Sequence, residues 1–183
     1  MKKAKILFIT PNLKGIADGV NRIQPSLGLM LIAPILENAG HTVKIYDAAL
    51  EGWEHQTMID SANNMVMIGQ PDDVIASIIS DFSPDIVAIS VLFSNLMESA
   101  HNIAKITKKV NSSITVVLGG NHISSAVTDF LHAQNDLSSF LPNYIEDLED
   151  QNIDFALTGE GEFSFLDMVN AIVNKTGIET VPG

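Results

Sequence analysis

Short apolar runs alternate with longer amphipathic stretches along this chain, and glycine, proline or acidic residues mark almost every change. Ile6-Leu7-Phe8-Ile9 is apolar at successive positions, the pattern of a strand covered on both faces of a sheet. From Leu27 to Asn38, Leu29, Ile32, Ala33 and Leu36 fall on one helical face, and Gly40 is placed to stop the helix. Val43 to Tyr46 predicts a second strand, closed by Asp47. Asp72 or Asp73 is suited to cap a helix running to Phe82, which Pro84-Asp85 ends. Ile86 to Ile89 is the third predicted strand, and Leu96 to Val110 the helix after it. Ile114 to Leu118 is the fourth strand, followed by a helix from Ser124 to Leu131. Ile153 to Leu157 is the fifth, followed by a helix from Phe163 to Asn174. This alternation predicts an α/β fold, a doubly wound five-stranded parallel sheet with helices on both faces. Glu51 to Gln70 and the acidic Gln134 to Gln151 break the alternation. They are read as loop-rich insertions with room for a short helix or hairpin.

Two predicted strands run into glycine-rich loops that open helices. The fourth ends in Gly119-Gly120-Asn121-His122, the fifth in Gly159-Glu160-Gly161-Glu162. Open α/β sheets bind ligands at the carboxyl ends of their strands. Glycine there lets a large ligand approach the backbone closely. Two such loops point to a sizeable cofactor.

Composition narrows the partners. At 183 residues and 46% hydrophobic, the chain is read as one domain with its own core. A net charge of −12 repels nucleic-acid phosphates and anionic membranes, so neither is an expected partner. No apolar stretch approaches the ~18 residues of a membrane span. The run after Met1-Lys2-Lys3-Ala4-Lys5 is too short for a signal peptide. With no cysteine, disulfides and thiolate metal sites are excluded, and a cytoplasmic location is expected. Residues 176–183 read as the start of a linker after a domain of residues 1–175.

Several residues have plainer readings. Glu160 and Glu162 suit a helix N-terminus, where the dipole favours carboxylates, and their charge opposes a bound phosphate. His41, His55, His101 and His132 are read as surface histidines, and Trp53 as packing under a loop. Asp47 could suggest a ribose-binding acid, but the first loop lacks the Gly-x-Gly-x-x-Gly fingerprint of a dinucleotide fold.

Ser90-Val91-Leu92 after the third strand and Gly119-Gly120 after the fourth resemble two of the three signatures of flavodoxin-like (Rossmann-like) cobalamin-binding domains. The resemblance implies a slot between strands, lined by the serine hydroxyl, the leucine backbone and the glycines, that takes the nucleotide tail of the corrinoid. The third signature, an Asp-x-His-x-x-Gly loop after the first strand, would supply a histidine to cobalt. Here that loop, Thr10 to Gly19, holds no histidine. No metal-ligating residue is therefore expected, and the implied cofactor is base-off and His-off cobalamin.

The chain is similar to the N-terminal domain of cobalamin-dependent radical S-adenosylmethionine enzymes. The likeness rests on Pro25-Ser26-Leu27-Gly28-Leu29, Ser83 to Ser90, Gly119-Gly120-Asn121-His122-Ile123-Ser124, and Asp154 with Gly159-Glu160-Gly161-Glu162. Val181-Pro182-Gly183 matches that family's exit from the domain. The resemblance implies that cobalt's lower face rests near Pro11, Asn12 and the Ser90 to Asn95 loop, with Leu92, Phe93 and Ser94. Gly119, Gly120, His122, Gly159, Glu160 and Gly161 complete the implied site. Neutral corrin amides, with N–H groups to donate, suit a loop that bears carboxylates. The implied partner is a C-terminal radical S-adenosylmethionine domain of the same chain, with S-adenosylmethionine and a [4Fe-4S] cluster held by Cys-x-x-x-Cys-x-x-Cys. This stretch has no cysteine and cannot hold that cluster. The parent is implied to be a methyltransferase or a cyclase, and Ile68-Gly69 before an acidic helix start favours the branch resembling the anaerobic magnesium-porphyrin cyclase. Fold alone does not fix function, so a cofactor-free interaction scaffold and a stand-alone corrinoid carrier stay open. A receiver domain fits poorly, because paired acids after the first strand and a lysine after the fifth are missing.

Overall fold

The computed structural model describes residues 2–133 and 148–181. In chain order the first elements are β1 (Lys5–Thr10), β2 (Leu13–Ile16), α1 (Leu27–Asn38), β3 (Thr42–Asp47) and α2 (Ala48–Glu51). Next come β4 (Gln56–Asp60), β5 (Met65–Ile68), α3 (Asp72–Phe82), β6 (Ile86–Ser90) and α4 (Met97–Val110). The chain continues through β7 (Thr115–Gly119), α5 (Asn121–Ala133), β8 (Phe155–Ala156) and α6 (Gly161–Asn174).

Five strands form one parallel sheet in the order β3-β1-β6-β7-β8. Counting the parallel strands alone, this is the flavodoxin-like order 2-1-3-4-5, with its reversal between β1 and β6. Alternate side chains of each strand serve opposite faces. Leu7, Ile9, Val87, Ile89, Val116 and Leu118 pack with α3 and α4 through Ile75, Ile79, Ala100 and Ile103. Ile6, Phe8, Ile86, Ala88 and Val117 pack on the other face with α1 and α6 through Leu29, Leu36, Phe165 and Val169. Double coverage explains why β1 and β6 read as unbroken apolar runs.

The expected strands and helices are all present among the described residues, with shifted ends. β8 spans only Phe155–Ala156, although Asp154 and Leu157 N–H groups extend its bonding to Val116 and Leu118. α3 begins after Pro71, and neither Asp72 nor Asp73 caps it; Asp72 instead accepts a bond from Asn102 Nδ2 at 2.7 Å. α5 starts at Asn121 and α6 at Gly161, so each glycine loop is shorter than the sequence suggests.

The Glu51 to Gln70 insertion is an antiparallel hairpin of β4 and β5, and β2 from the first loop joins it. The result is a separate three-stranded sheet in the order β2-β5-β4. β2 escaped the sequence reading because Leu13-Lys14-Gly15-Ile16 lacks a clear alternation and carries a glycine. Most of the Gln134 to Gln151 insertion lies outside the described residues.

Candidate functional site

A cavity of about 380 Å³ opens at the carboxyl ends of β6 and β7, on the face covered by α1 and α6. Phe8, Leu29, Ala88, Val117 and Phe165 form its apolar floor. Ser90, Leu92, Gly119, Gly120, Gly159, Glu160 and Gly161 all line it, so the three separate segments named from the sequence meet in one place.

The adjacent glycines at the end of β7 do different work. Gly119 sits opposite Ser90 in the β6–β7 ladder. A Cβ on Gly119 would meet only Leu157 O, at 3.8 Å. Gly120 has φ +108°, and a Cβ there would lie 2.6 Å from Val91 O. Only glycine allows that conformation and that approach. Gly119 therefore keeps cavity space open, whereas Gly120 is required by the chain crossing. Beyond the strands the same crossing is tied by Val91 N–H to Gly119 O at 2.7 Å and His122 N–H to Val91 O at 3.1 Å.

At Gly159 and Gly28, both on the cavity wall, an added Cβ would meet nothing within 4 Å. The Ser26 and Ser90 hydroxyls face each other at 3.4 Å, both residues buried. They offer donors and acceptors above an otherwise apolar floor. Ser124 joins the two glycine loops, since its hydroxyl accepts from Gly159 N–H at 2.9 Å and approaches Gly120 O at 3.4 Å. Ser26, Gly28, Asn121 and Ser124 were not among the site residues expected from sequence. The signal for them was present in Pro25-Ser26-Leu27-Gly28 and in the final serine of Gly119 to Ser124.

Other expected residues lie elsewhere. Pro11 and Phe93 line a second cavity of about 220 Å³ with Thr10, Arg22, Gln24 and Asp47, and Leu92 borders both cavities. Phe93 is exposed, and Ser94 begins a short exposed turn before Leu96. Asn12 lines neither cavity and donates from Nδ2 to Gln70 O at 2.8 Å, holding the first loop to the small sheet. His122 is buried and lines neither cavity. Glu160 precedes α6 without a side-chain capping bond, and Glu162 stands in its first turn.

The surface reading of His41 is corrected: it is buried, and its Nδ1 accepts from Ala4 N–H at 3.2 Å. Burial, aided by the Lys3 charge, lowers its pKa from the ordinary 6.5, and Asn170 opposes that shift. His101 is partly buried and paired with Asp150 at 2.7 Å. His55 is exposed, and the side chain of His132 lies outside the described set. Trp53 is not packed under a loop: it is 37% exposed and borders an open groove. Asp47 has a raised pKa because burial disfavours its charge; backbone N–H groups of Leu50 and Ala49 oppose the shift, and the Glu51 charge adds to it.

The larger cavity of about 700 Å³ lies at the opposite, amino end of the sheet, among Lys2, Lys3, Ser83, Asp85 and Lys175. Lysines at that end serve helix ends: Lys3 Nζ donates to Ala39 O at 2.6 Å, and Lys5 Nζ to Phe82 O. Cations are favoured at helix C-termini, so Lys3, which lines this cavity, has a structural explanation.

The cavity at the strand ends fits a corrinoid tail on the chain's own geometry. It is apolar below, hydroxyl-bearing at Ser26 and Ser90, and kept open by the absence of side chains at Gly28, Gly119 and Gly159.

The chain is similar to known cobalamin-binding and methyltransferase proteins. Residues 13–140 match the B12 binding domain family. Cytidylyl-2-hydroxyethylphosphonate methyltransferase of Streptomyces wedmorensis is 30% identical over 162 residues, covering 88% of this chain and 27% of the relative. An uncharacterized methyltransferase of Pyrococcus horikoshii is 32% identical over 184 residues, covering 100% of this chain and 32% of the relative. The chain thus spans about a third or less of these relatives. A crystal structure of a cobalamin-binding protein from Desulfitobacterium hafniense superposes with a TM-score of 0.51 at 15% identity, covering 96% of this chain and 60% of that one, a likeness of fold.

Proposed function

This chain belongs to the B12-binding domain family, and on that premise we propose that it holds cobalamin within a longer radical S-adenosylmethionine enzyme that transfers methyl groups. The observation that carries the reading is the convergence of Gly119 and Gly159. They lie on separate loops, and both leave side-chain space open in one cavity at the strand ends. Methyltransferase relatives support the class of reaction.

Bound cobalamin would supply a cobalt that accepts and donates a methyl group. The chain's own part is positioning. Ser26 and Ser90 offer hydroxyls to the polar portion of the nucleotide tail, while Phe8, Ala88 and Val117 exclude water from its planar base. Ser124 fixes the spacing of the two loops. No described histidine side chain lines either strand-end cavity, in keeping with the His-off form, and a tail lodged beside Ser90 and Gly119 would hold its base away from cobalt. Residues 176–183 would lead toward the cluster-bearing domain, which would supply the cysteines this stretch lacks. A cytoplasmic location belongs to the same reading.

Titration of the protein with hydroxocobalamin, followed by its visible spectrum, tests the proposal. Saturable binding with conversion to the base-off bands is expected. An unchanged spectrum, with all cobalamin recovered free after gel filtration, would leave the scaffold reading in its place.

A further inference from the structure

The chain's single arginine and single tryptophan border one groove at the carboxyl end of the sheet. The groove has a volume of about 470 Å³ and is lined by Asn21, Arg22, Ile23, Gln24, Leu50 and Trp53. In a chain with 22 acidic residues, no carboxylate among the described residues lines it. Arg22 and Gln24 make no side-chain hydrogen bond or ion pair with any described residue. Leu50 and Trp53 are 55% and 37% exposed.

The turn that carries Trp53 is firmly set. Trp53 N–H donates to Leu50 O at 3.3 Å, and Gly52 N–H to Ala48 O at 3.2 Å. Gly52 packs so closely on the Gly69 backbone that a Cβ would fall 2.2 Å from Gly69 C. The exposed indole is thus presented on a fixed turn. Arg22, Ile23 and Gln24 are shared with the strand-end cavity of Thr10, Pro11 and Phe93, so the groove adjoins the proposed corrin face.

We propose that this groove binds a nucleoside monophosphate, its base against Trp53 and its phosphate on Arg22. A flat exposed indole suits stacking by a base. A guanidinium fork matches two phosphate oxygens at once. A lone cation in this groove of an acidic chain suits a small anion, not a polyanion. Gln24 is free to read a base edge. The purpose, presenting a nucleotide-bearing substrate beside the cobalt, rests on the cobalamin reading; the binding itself does not.

Trp53 is the sole tryptophan, so its emission reports on this groove alone. Cytidine and adenosine monophosphates, cytidine, inorganic phosphate and S-adenosylmethionine would be titrated in turn. Saturable quenching by at least one nucleotide is expected, with cytidine and phosphate at least about tenfold weaker. Arg22→Ala should weaken the nucleotide at least about tenfold, Arg22→Lys should restore part, and circular dichroism should stay unchanged. Absence of saturable quenching by either nucleotide overturns the proposal. So does equal affinity in Arg22→Ala, or binding of S-adenosylmethionine alone. The visible-spectrum titration of the same preparation keeps the two readings apart. Cobalamin binding without nucleotide binding sinks the groove alone, and the converse sinks only the cofactor reading.

Discussion

The Ser124 hydroxyl accepts a hydrogen bond from the Gly159 backbone N–H at 2.9 Å, joining the loop after β7 to the loop after β8. These loops are 35 residues apart in sequence, yet both line the strand-end cavity. The pair explains why a hydroxyl residue follows the paired glycines at this spacing: it sets the width of the cavity. Ser124→Ala should remain folded and lose cobalamin affinity by the worth of one hydrogen bond, ~0.5–1.5 kcal/mol. Ser124→Thr retains the hydroxyl and should bind close to the parent. Equal binding by parent and Ser124→Ala in a spectral titration would mean that the loops are positioned independently.

Gly119 and Gly120 should separate in their behaviour. Gly119→Val places its side chain in the cavity and should fold normally, with cobalamin affinity reduced at least tenfold, about 1.4 kcal/mol. Gly120→Val forces a β-branched residue to φ +108° against Val91 O. Strain there costs ~1–3 kcal/mol, and overpacking against the Val91 backbone adds ~1–3 kcal/mol. Urea unfolding should therefore show a lowered midpoint for Gly120→Val and a near-parental one for Gly119→Val. Equal loss of stability in both would undo the division of roles.

The parallel sheet was legible because β1, β6 and β7 are covered on both faces, and only apolar residues fit there. The glycine loops were legible because strand, glycine and helix follow one another directly. The small sheet was not, since β4 exposes Met58 and Ile59 and is held by pairing with β5 instead of by burial. The bond of Asn12 to Gln70 was hidden for a related reason, since it depends on that sheet. His41 read as a surface histidine after Gly40, but it is buried against Ala4 and Asn170. Gly120 could not be told from Gly119 by sequence, because the close approach of Val91 exists only in three dimensions.

Cobalt ligation gives a spectroscopic test. Neither His41, His55, His101 nor His122 lines a strand-end cavity. Reduced Co(II) cobalamin bound to this protein should show an EPR spectrum without nitrogen superhyperfine splitting. Clear splitting would mean that a nitrogen base occupies the lower axial position, against the base-off, His-off reading.

Acid sensitivity should trace in part to His41. Its pKa in the folded chain lies below the ordinary 6.5, chiefly through burial and further through Lys3. A lowered histidine pKa means that the unfolded chain binds the proton more tightly. The stabilising contribution is therefore complete above about pH 6.5 and is lost as pH falls through the folded value. Protonation also removes the Nδ1 lone pair that accepts from Ala4 N–H. Asp150 titrates lower: burial would raise its pKa, but bonds from Asn152 and His101 outweigh it and the net shift is downward. Its contribution is present above the ordinary 3.8 and is lost as pH falls through its folded value, so its loss begins at lower pH than that of His41. Thermal unfolding midpoints measured from neutral pH down to about 5 should fall for the parent. His41→Leu should be less stable at neutral pH, because Ala4 N–H loses its acceptor, yet its midpoint should change less across that range. A parental slope in His41→Leu would assign the acid response to other groups.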